Sequence, residues 1–383
     1  METKRVKILM ITTIDFGFNG ITNVIMNYFR ALDRTDLQMD FVIQNHIRSD
    51  LKNEIHSSGS NVYEFRGRNK SPISYVNWLT DLIRENNYEI VHAHGNSCTL
   101  ALEMYAANKG GARVRIPHSH NSTCKHRVAH RILRRMFNKN YTHGFACGEK
   151  AGNWLYEGEK FSVINNGIDV ENFMFDTNVR AEYRKKYGLT NKKVIGHIGH
   201  FTLQKNHDFL IDIFQQLYKI DKDYRLILLG DGSLRPDIEK KVKSLGLVDV
   251  VKFTGATLET SHFMQAMDIL VMPSKYEGLP LTLIESQASG LPCYVADTVS
   301  KESKITELVE FMSLDLSAEK WAKKINSSIL YNRNNNKDQI HKNLVDSGFS
   351  INNNAKILKK LYLSDNLDKD LEKMIRRRVY EKG

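Results

Sequence analysis

The chain has 383 residues, of which 41% are hydrophobic and 26% are charged, and its formal net charge is +11. This composition excludes a disordered chain, and the length predicts two globular domains of roughly 150 to 190 residues each. No stretch approaches the roughly 18 consecutive apolar residues of a membrane span, so we expect a soluble body. The positive charge is compatible with nucleic acid, an anionic membrane or phosphorylated substrates, and does not distinguish among them.

The amino terminus and the cysteines indicate the compartment. The first five residues lead directly into a strand-like segment without an apolar signal sequence, so we expect a cytoplasmic protein. The cysteines Cys98, Cys124, Cys147 and Cys293 have no paired spacing. They are interpreted as reduced structural thiols, because a disulfide framework or a zinc site would need such spacing.

The first half of the chain alternates short β-branched runs with longer amphipathic stretches, which is typical of a parallel sheet with crossover helices. The strand candidates are VKILMITT, DFVIQ, VYEF, IVHAHG, RVRIPHSH and THGFACG. The helix candidates include ITNVIMNYFRAL and YVNWLTDLIREN. Ligands of such sheets bind at the carboxyl ends of the strands, so the function is sought in the loops that follow them.

Two of these loops carry candidate site residues. Gly17-Phe18-Asn19-Gly20 follows the first strand, and glycine there allows a ligand to approach the backbone and the next helix. A structural turn would give the same pattern. The strand RVRIPHSHN carries His118 and His120 to its end, where an imidazole can hydrogen-bond a sugar hydroxyl. No acidic residue or cysteine lies near this pair in sequence, so we do not predict a metal site.

Residues 125–139, KHRVAHRILRRMFNK, form a predicted amphipathic basic helix. Five apolar residues are expected near one face: Val128, Ile132, Leu133, Met136 and Phe137. Such a helix suits an anionic lipid surface, to which each cation contributes about 1 kcal/mol. A surface helix that turns its apolar stripe toward its own sheet would have the same sequence pattern, and both interpretations remain open.

The strand–helix alternation restarts after a polar, charge-rich stretch at residues 176–193, which indicates a second domain. Its strand candidates are VIGHIG, RLILLG, VKFTG, ILVMPS and CYVAD. The asparagine-rich residues 332–339 are predicted to be a loop. The chain then ends in helical segments and a basic triplet at residues 376–378.

The segment PSKYEGLPLTLIESQASGLP, residues 273–292, carries the most chemical information. Gly278 and Leu279 are predicted to form a turn, with Pro280 at the first position of the following helix. The amino end of that helix can hold a diphosphate. Glu277 lies just before this end and Glu285 about a turn and a half inside. Phosphate would repel both carboxylates, so they are expected to accept hydrogen bonds from ribose or sugar hydroxyls.

Lys205 is the expected partner of the phosphates. It follows the loop after the strand VIGHIG and precedes a helix that begins near Asn206. Its ammonium group can reach a phosphate at that helix end and offset the negative charge on a leaving diphosphate.

These motifs resemble the family-4 retaining glycosyltransferases. The spacing in EGLPLTLIE carries the resemblance, together with GHFTLQKNHDFLI, LILLGDG, VKFTGAT and VINNGIDVENF in the family's order. The resemblance implies an α/β GT-B fold with two Rossmann-like doubly wound domains facing a central cleft. It assigns residues 1–180 to the acceptor, residues 181–352 to the nucleotide sugar, and residues 353–383 to helices that return to the first domain.

The same resemblance implies the roles of individual residues. Glu285 would contact the ribose, and Glu277 and His120 the donor sugar. His200 stands where the family commonly has Arg. His120, Lys205 and Glu277 are the catalytic candidates. The expected donor-binding residues are Gly20, His200, Lys205, Gly230, Gly232, Thr254, Gly255, Glu277, Gly278, Leu279, Pro280, Leu281 and Glu285.

The function implied by the resemblance is metal-independent, retaining transfer of a hexose from a UDP-sugar, without a cofactor. The expected acceptor is a lipid-linked glycan of capsule or exopolysaccharide assembly, and the expected location is the cytoplasm or the inner face of the plasma membrane. A nucleotide-sugar epimerase of GT-B shape and a basic nucleic-acid-binding protein remain as alternatives. No nucleic-acid-binding motif accompanies the charge, so nucleic acid is not an expected partner.

Overall fold

The computed structural model describes residues 5–124, 126–327, 332–364, 367 and 369. These residues form two compact units. One contains the chain up to Gly167 together with the residues from Ile351 onward, and the other is Ile168–Ser350. Lys125, the basic triplet at 376–378 and much of the predicted segment 353–383 lie outside the described residues.

The first unit contains a seven-stranded parallel sheet in the order β3-β2-β1-β4-β5-β6-β7. Its central strands are buried on both faces, because crossover helices cover each side. The strands are β1 (Val6–Thr12), β2 (Leu37–Ile43), β3 (Val62–Glu64), β4 (Ile90–Gly95), β5 (Val114–Ser119), β6 (Phe145–Ala146) and β7 (Ser162–Val163). The helices between them are α1 (Gly20–Ala31), α2 (Ser49–Ser57), α3 (Pro72–Asn86), α4 (Ala101–Lys109), α5 (Arg127–Asn140) and α6 (Glu149–Tyr156).

The second unit contains a six-stranded parallel sheet in the order β10-β9-β8-β11-β12-β13. Its core includes the fully buried Trp321 and Phe214. The strands are β8 (Lys193–Ile198), β9 (Tyr224–Leu229), β10 (Val251–Gly255), β11 (Ile269–Met272), β12 (Cys293–Ala296) and β13 (Val309–Met312). The helices are α7 (Val170–Phe173), α8 (Thr177–Lys186), α9 (His207–Ile220), α10 (Arg235–Ser244), α11 (Thr260–Ala266), α12 (Leu281–Ala288), α13 (Ala318–Asn326) and α14 (Lys337–Asp346).

The units begin and end at positions other than the sequence boundaries of 180/181 and 352/353. Ile168 and Val170 already pack with Ile284 and Ala288 of α12 in one apolar cluster of the second unit. The chain returns to the first unit at α15 (Ile351–Tyr362), and this helix packs against α1. Two Rossmann-like parallel-sheet domains are therefore confirmed, while the observed division places α7 and α8 in the second.

Residues 332–336 of the asparagine-rich segment form a loop, as predicted, and Arg333 within this loop is anchored in the second core. Arg333 is buried, and its Nη1 donates to the carbonyl oxygens of Gln265 and Met267, each at 3.0 Å. Helix α14 begins at Lys337, so residues 337–339 of the predicted loop are helical. Arg333 thus donates hydrogen bonds to backbone carbonyl groups at the carboxyl end of α11. Composition alone does not predict this contact.

Helix length and cysteine environment add two observations. None of the helices in the described part of the chain is both long enough and apolar enough to cross a bilayer. Cys98, Cys147 and Cys293 are buried free thiols. Burial raises the pKa of Cys98 and of Cys147 to about 11, which disfavours the nucleophilic thiolate.

Candidate donor site and histidine cluster

Lys205 and Glu277 form an ion pair at the carboxyl edge of the second sheet. Lys205 Nζ lies 2.7 Å from Glu277 Oε1, and the two side chains are only 16% and 11% exposed. Lys205 follows β8, and Glu277 follows β11, the neighbouring strand in the sheet. Two catalytic candidates that lie far apart in sequence are therefore in contact.

The loops that carry this pair are tied to each other by hydrogen bonds. The backbone N–H of Lys275 donates to the carbonyl of Gln204 at 2.8 Å. Gln204 Nε2 donates to the carbonyl of Tyr276 at 3.0 Å, and Asn206 Nδ2 donates to the carbonyl of Pro273 at 3.1 Å. Gln204 was not among the predicted site residues, and its position directly before Lys205 was the available signal. These bonds fix the geometry of the Lys205–Glu277 pair.

The amino ends of two helices flank the pair, and neither has a side-chain cap. Asn206 is the residue before α9 and has φ 58°. Its side chain donates to the carbonyl of Pro273 and does not cap the helix. Pro280 precedes α12 at the N-cap, one position earlier than predicted. Both helix ends therefore keep backbone N–H groups and partial positive charge available for an anion. Gly278, Leu279 and Leu281 surround this start, as the sequence indicated.

Glu285 lies on α12 and is partly buried. Burial raises the pKa of its carboxyl group to about 7. Within the described ranges, no side chain or backbone N–H donates to this carboxyl group. A carboxyl group that is withdrawn from water without a partner is costly, and ligand hydroxyls are suited to supply the missing donors.

Glycines let the loops after β8 and β9 cross at backbone contact distance. A Cβ at Gly230 would lie 2.1 Å from the carbonyl oxygen of Gly199, and one at Gly232 would lie 2.7 Å from that of Phe201. Gly230 also has φ +132°, where side chains are rarely tolerated. Glycine is therefore required by the backbone crossing at the predicted donor-binding positions 230 and 232, independently of any ligand.

The end of β10 and His200 complete the predicted donor residues. Gly255 has φ +75° and follows a shift of register, so β10 bulges at Thr254. Thr254 Oγ1 donates to the carbonyl of Gly255 at 2.9 Å.

His200 is exposed, and its Nδ1 lies 3.1 Å from the carbonyl oxygen of Asp231. That contact assigns the proton to Nδ1, because a carbonyl can only accept.

In the first unit, Asn19 and Gly20 form the start of α1. The Asn19 side chain accepts from the backbone N–H of Thr22 at 2.9 Å and caps the helix. A Cβ at Gly20 would meet no atom within 4 Å. Asn19 therefore has a structural role, and packing does not require glycine at position 20.

His120 belongs to a cluster of four histidines on two adjacent strands of the first unit. His94 Nδ1 lies 2.8 Å from His120 Nε2, and His92 Nε2 lies 3.1 Å from His118 Nδ1. Burial lowers the pKa of His120 to about 3 and the pKa values of the other three well below their usual range. All four imidazoles are therefore neutral, and the contribution of His92 and His94 was missed by the sequence analysis.

Helix α5 has two apolar faces and not the single one predicted. Phe137 is buried, and Leu133 and Met136 pack against the first core. Val128 and Ile132 point outward and are 74% and 72% exposed. On the same outer side, exposed cations follow the helical period: Arg127, Arg131, Arg135 and Lys139.

Comparison with known families matches nearly the whole chain. The family described as Glycosyltransferase Family 4 matches residues 18–172, and the family described as Glycosyl transferases group 1 matches residues 179–344. EpsF of Bacillus subtilis (strain 168), to which glycosyltransferase activity is provisionally ascribed, is 31% identical over 358 residues. The alignment covers 90% of this chain and 93% of that protein.

Two further proteins are similar at lower identity. An Escherichia coli enzyme, UDP-Gal:alpha-D-GlcNAc-diphosphoundecaprenol alpha-1,3-galactosyltransferase, is 26% identical over 57% of this chain and 60% of its own length. The crystal structure of Anabaena Alr3699/HepE in complex with UDP and glucose matches 98% of this chain and 100% of that one. Its TM-score is 0.69 at 17% identity, which is evidence for the fold alone.

Proposed function

Because the chain belongs to the family-4 glycosyltransferases and has their GT-B fold, we propose that it is a retaining hexosyltransferase. Its donor would be a UDP-sugar, and its acceptor a lipid-linked glycan in the synthesis of a cell-surface polysaccharide. The location that suits this reaction is the cytoplasmic side of the membrane. The alternative of a nucleotide-sugar epimerase has no counterpart among the proteins compared above.

The observation that carries the proposal is the Lys205–Glu277 pair between two uncapped helix ends, with Glu285 on the second helix. The cation and the helix ends provide positive charge for a diphosphate. The two carboxyl groups provide acceptors for hydroxyls on either side of it. A nucleoside-diphosphate sugar has this order of groups: ribose, diphosphate, sugar.

The reaction needs no metal ion in this scheme. As the bond between the anomeric carbon and the diphosphate breaks, Lys205 and the amino ends of α9 and α12 stabilise the leaving oxygen. The acceptor hydroxyl attacks the same face of the sugar, and its proton passes to the leaving diphosphate. The configuration is thereby retained. Glu277 holds sugar hydroxyls.

Support for UDP and for a lipid-linked acceptor comes from different observations. The Anabaena structure contains UDP, and the name of the E. coli enzyme includes a UDP-sugar donor and a diphosphoundecaprenol acceptor. In this chain, β10 bulges at Thr254 and Gly255, and we expect backbone groups near this bulge to meet the base. Gly20, which packing does not require, suits close approach of a ligand to α1.

Helix α5 supports docking on an anionic membrane. Val128 and Ile132 are exposed together, and burial of such a side chain contributes about 1.5 to 3 kcal/mol. The neighbouring exposed cations Arg127, Arg131 and Arg135 contribute about 1 kcal/mol each near anionic lipid. An outward apolar pair within a basic face favours the lipid surface over the interpretation in which the whole stripe faces its own sheet.

A screen of UDP- and GDP-sugars for hydrolysis and for thermal protection tests the donor. We expect a UDP-hexose to raise the melting temperature and to be hydrolysed slowly without acceptor. Protection by GDP-sugars alone would refute UDP as the nucleotide, and turnover to an epimeric UDP-sugar without an acceptor would favour the epimerase. The anomeric configuration of the product, read by NMR, tests retention.

Vesicle sedimentation tests the membrane surface. The wild-type chain should bind vesicles with anionic lipid, and the double variant Val128→Asp/Ile132→Asp should bind much less. Val248→Asp is the matched control, because Val248 is 58% exposed in the other unit. Equal binding by wild type and double variant, or binding to neutral vesicles alone, would contradict docking through α5.

A further inference from the structure

The first unit contains two His-X-His pairs on adjacent parallel strands. β4 carries His92 and His94. β5 carries His118, and His120 directly follows its last residue, Ser119. His94 is paired in register with His118. Because side chains alternate along a strand, all four rings lie on one face of the sheet. The ring centroids of His92 and His94 are 4.4 Å apart, and those of His94 and His118 are 5.1 Å apart.

Both ring nitrogens of His92 have partners. Nδ1 lies 2.6 Å from the Tyr362 hydroxyl, and Nε2 lies 3.1 Å from His118 Nδ1. His118 is thereby engaged through Nδ1, which leaves its Nε2 as the second nitrogen of that ring.

Three nitrogens of the four rings are buried and unpaired among the described residues: Nε2 of His94, Nε2 of His118 and Nδ1 of His120. The side chains of His94 and His118 are 3% and 1% exposed, so water does not reach them freely. A buried ring nitrogen without a partner is costly, and where such a nitrogen carries its lone pair, a metal ion supplies the partner.

We propose that His92, His94 and His118 bind one divalent transition-metal ion of the zinc type. One ring nitrogen of each residue lies within 4.8 Å of one from each of the others. Zinc–nitrogen bonds of about 2.0 to 2.1 Å need nitrogens about 3.4 Å apart. The three rings lie nearly parallel, at interplanar angles of 7° to 28°, so they must rotate for their nitrogens to converge on one ion. Three imidazole nitrogens select Zn²⁺, Cu²⁺ or Ni²⁺ over Mg²⁺ or Ca²⁺, which prefer oxygen ligands.

The surroundings supply the supporting contacts that such sites need. The Tyr362 hydroxyl lies 2.6 Å from His92 Nδ1 and orients the ring. When Nε2 of His92 binds the ion, Nδ1 carries the proton and donates it to this hydroxyl oxygen. Three protein ligands leave a fourth position for water or hydroxide, whose charge would partly offset that of the ion. The ion lies within the first unit and takes no part in the diphosphate chemistry proposed above, so the two proposals stand or fall separately.

The test is a metal titration of the full chain without a histidine tag, after removal of metal by a chelator. Co²⁺ is the probe, because its visible d–d absorption reports a four-coordinate nitrogen site, and elemental analysis after gel filtration gives the stoichiometry. We expect one Co²⁺ per chain, displaced by Zn²⁺. His118→Gln should weaken binding more than tenfold, and Tyr362→Phe by on the order of tenfold.

His46→Gln is the matched control, because His46 is an exposed histidine of the same unit, and it should bind as the wild type does. The proposal is overturned if wild type binds less than one ion per chain, or if His118→Gln binds as tightly as wild type. If circular dichroism shows that His118→Gln is unfolded, the Co²⁺ affinity of Tyr362→Phe becomes the test. An affinity equal to that of the wild type would then overturn the proposal.

Discussion

Replacement of Glu285 by Gln should stabilise the protein at high pH and weaken nucleotide binding. The carboxyl group has a pKa of about 7 in the folded chain, against an ordinary value of 4.5 for glutamate. The folded state therefore binds this proton more tightly, and the stability contributed by the protonated group is lost as pH rises from 4.5 to about 7. Above both values the cost of ionisation is at most about 3 kcal/mol, since the side chain is partly exposed.

The assay is urea unfolding of wild type and Glu285→Gln between pH 4 and pH 8. Both chains carry Phe in place of Trp78 and Trp154, so that fluorescence reports Trp321, which is buried in the core of the unit that contains α12. The two stabilities should coincide at about pH 4, and the variant should exceed wild type by up to about 3 kcal/mol at pH 8. Glu182→Gln, an exposed glutamate of the same unit, should give no pH-dependent difference.

The same variant tests the role proposed for this carboxyl group. Loss of an ionised acceptor for ribose hydroxyls costs about 1.5 to 3 kcal/mol, so UDP affinity at pH 8 should fall on the order of 10- to 100-fold by calorimetry. A stability difference that does not change with pH would refute the assigned pKa. Unchanged UDP affinity would refute the contact with ribose.

Three further predictions concern the rest of the donor site. Lys205→Ala should lower kcat/KM on the order of 100- to 1,000-fold in a transfer assay, whereas the exposed Lys222→Ala should not; equal rates in the two would exclude a role in leaving-group stabilisation. Gly230→Ala should cost at least about 2 kcal/mol in unfolding free energy, because its Cβ would overlap the Gly199 carbonyl, whereas Gly278→Ala should cost less than about 0.5 kcal/mol. UDP affinity should be the same with EDTA as without it, and weaker binding that Mn²⁺ restores would contradict a metal-free diphosphate site.

The fold could be predicted because short strand candidates, most of them rich in apolar residues, alternate with helix-length segments along the chain. Two edge strands were missed, β7 with two residues and β13 with four, whereas the three-residue edge strand β3 was predicted from VYEF. The boundary at 180 rested on a charge-rich stretch, but that stretch is the surface of α8. Its Arg184 contacts Asp268 at 3.1 Å and so belongs to the second unit.

Within the site, residue types that follow strands could be predicted, but their pairing could not. Lys205 and Glu277 were expected to meet different parts of a ligand, and their contact depends on how two loops are bonded together. Likewise, His118 and His120 were considered without His92 and His94. Only the register of β4 with β5 brings these residues together, and no local pattern in the sequence encodes that register.

The crossing of Gly199 and Gly230 has a practical consequence for altering donor choice by directed evolution. If a library randomised every residue of the donor-site loops, most of its variants would carry a side chain where the backbones at Gly199 and Gly230 cross. Those variants could not form this contact. Codons 199, 230 and 232 are better held constant, with diversity confined to side chains such as His200 and Thr254, whose main-chain positions those glycines maintain. Selectivity could then be changed without first repairing folding.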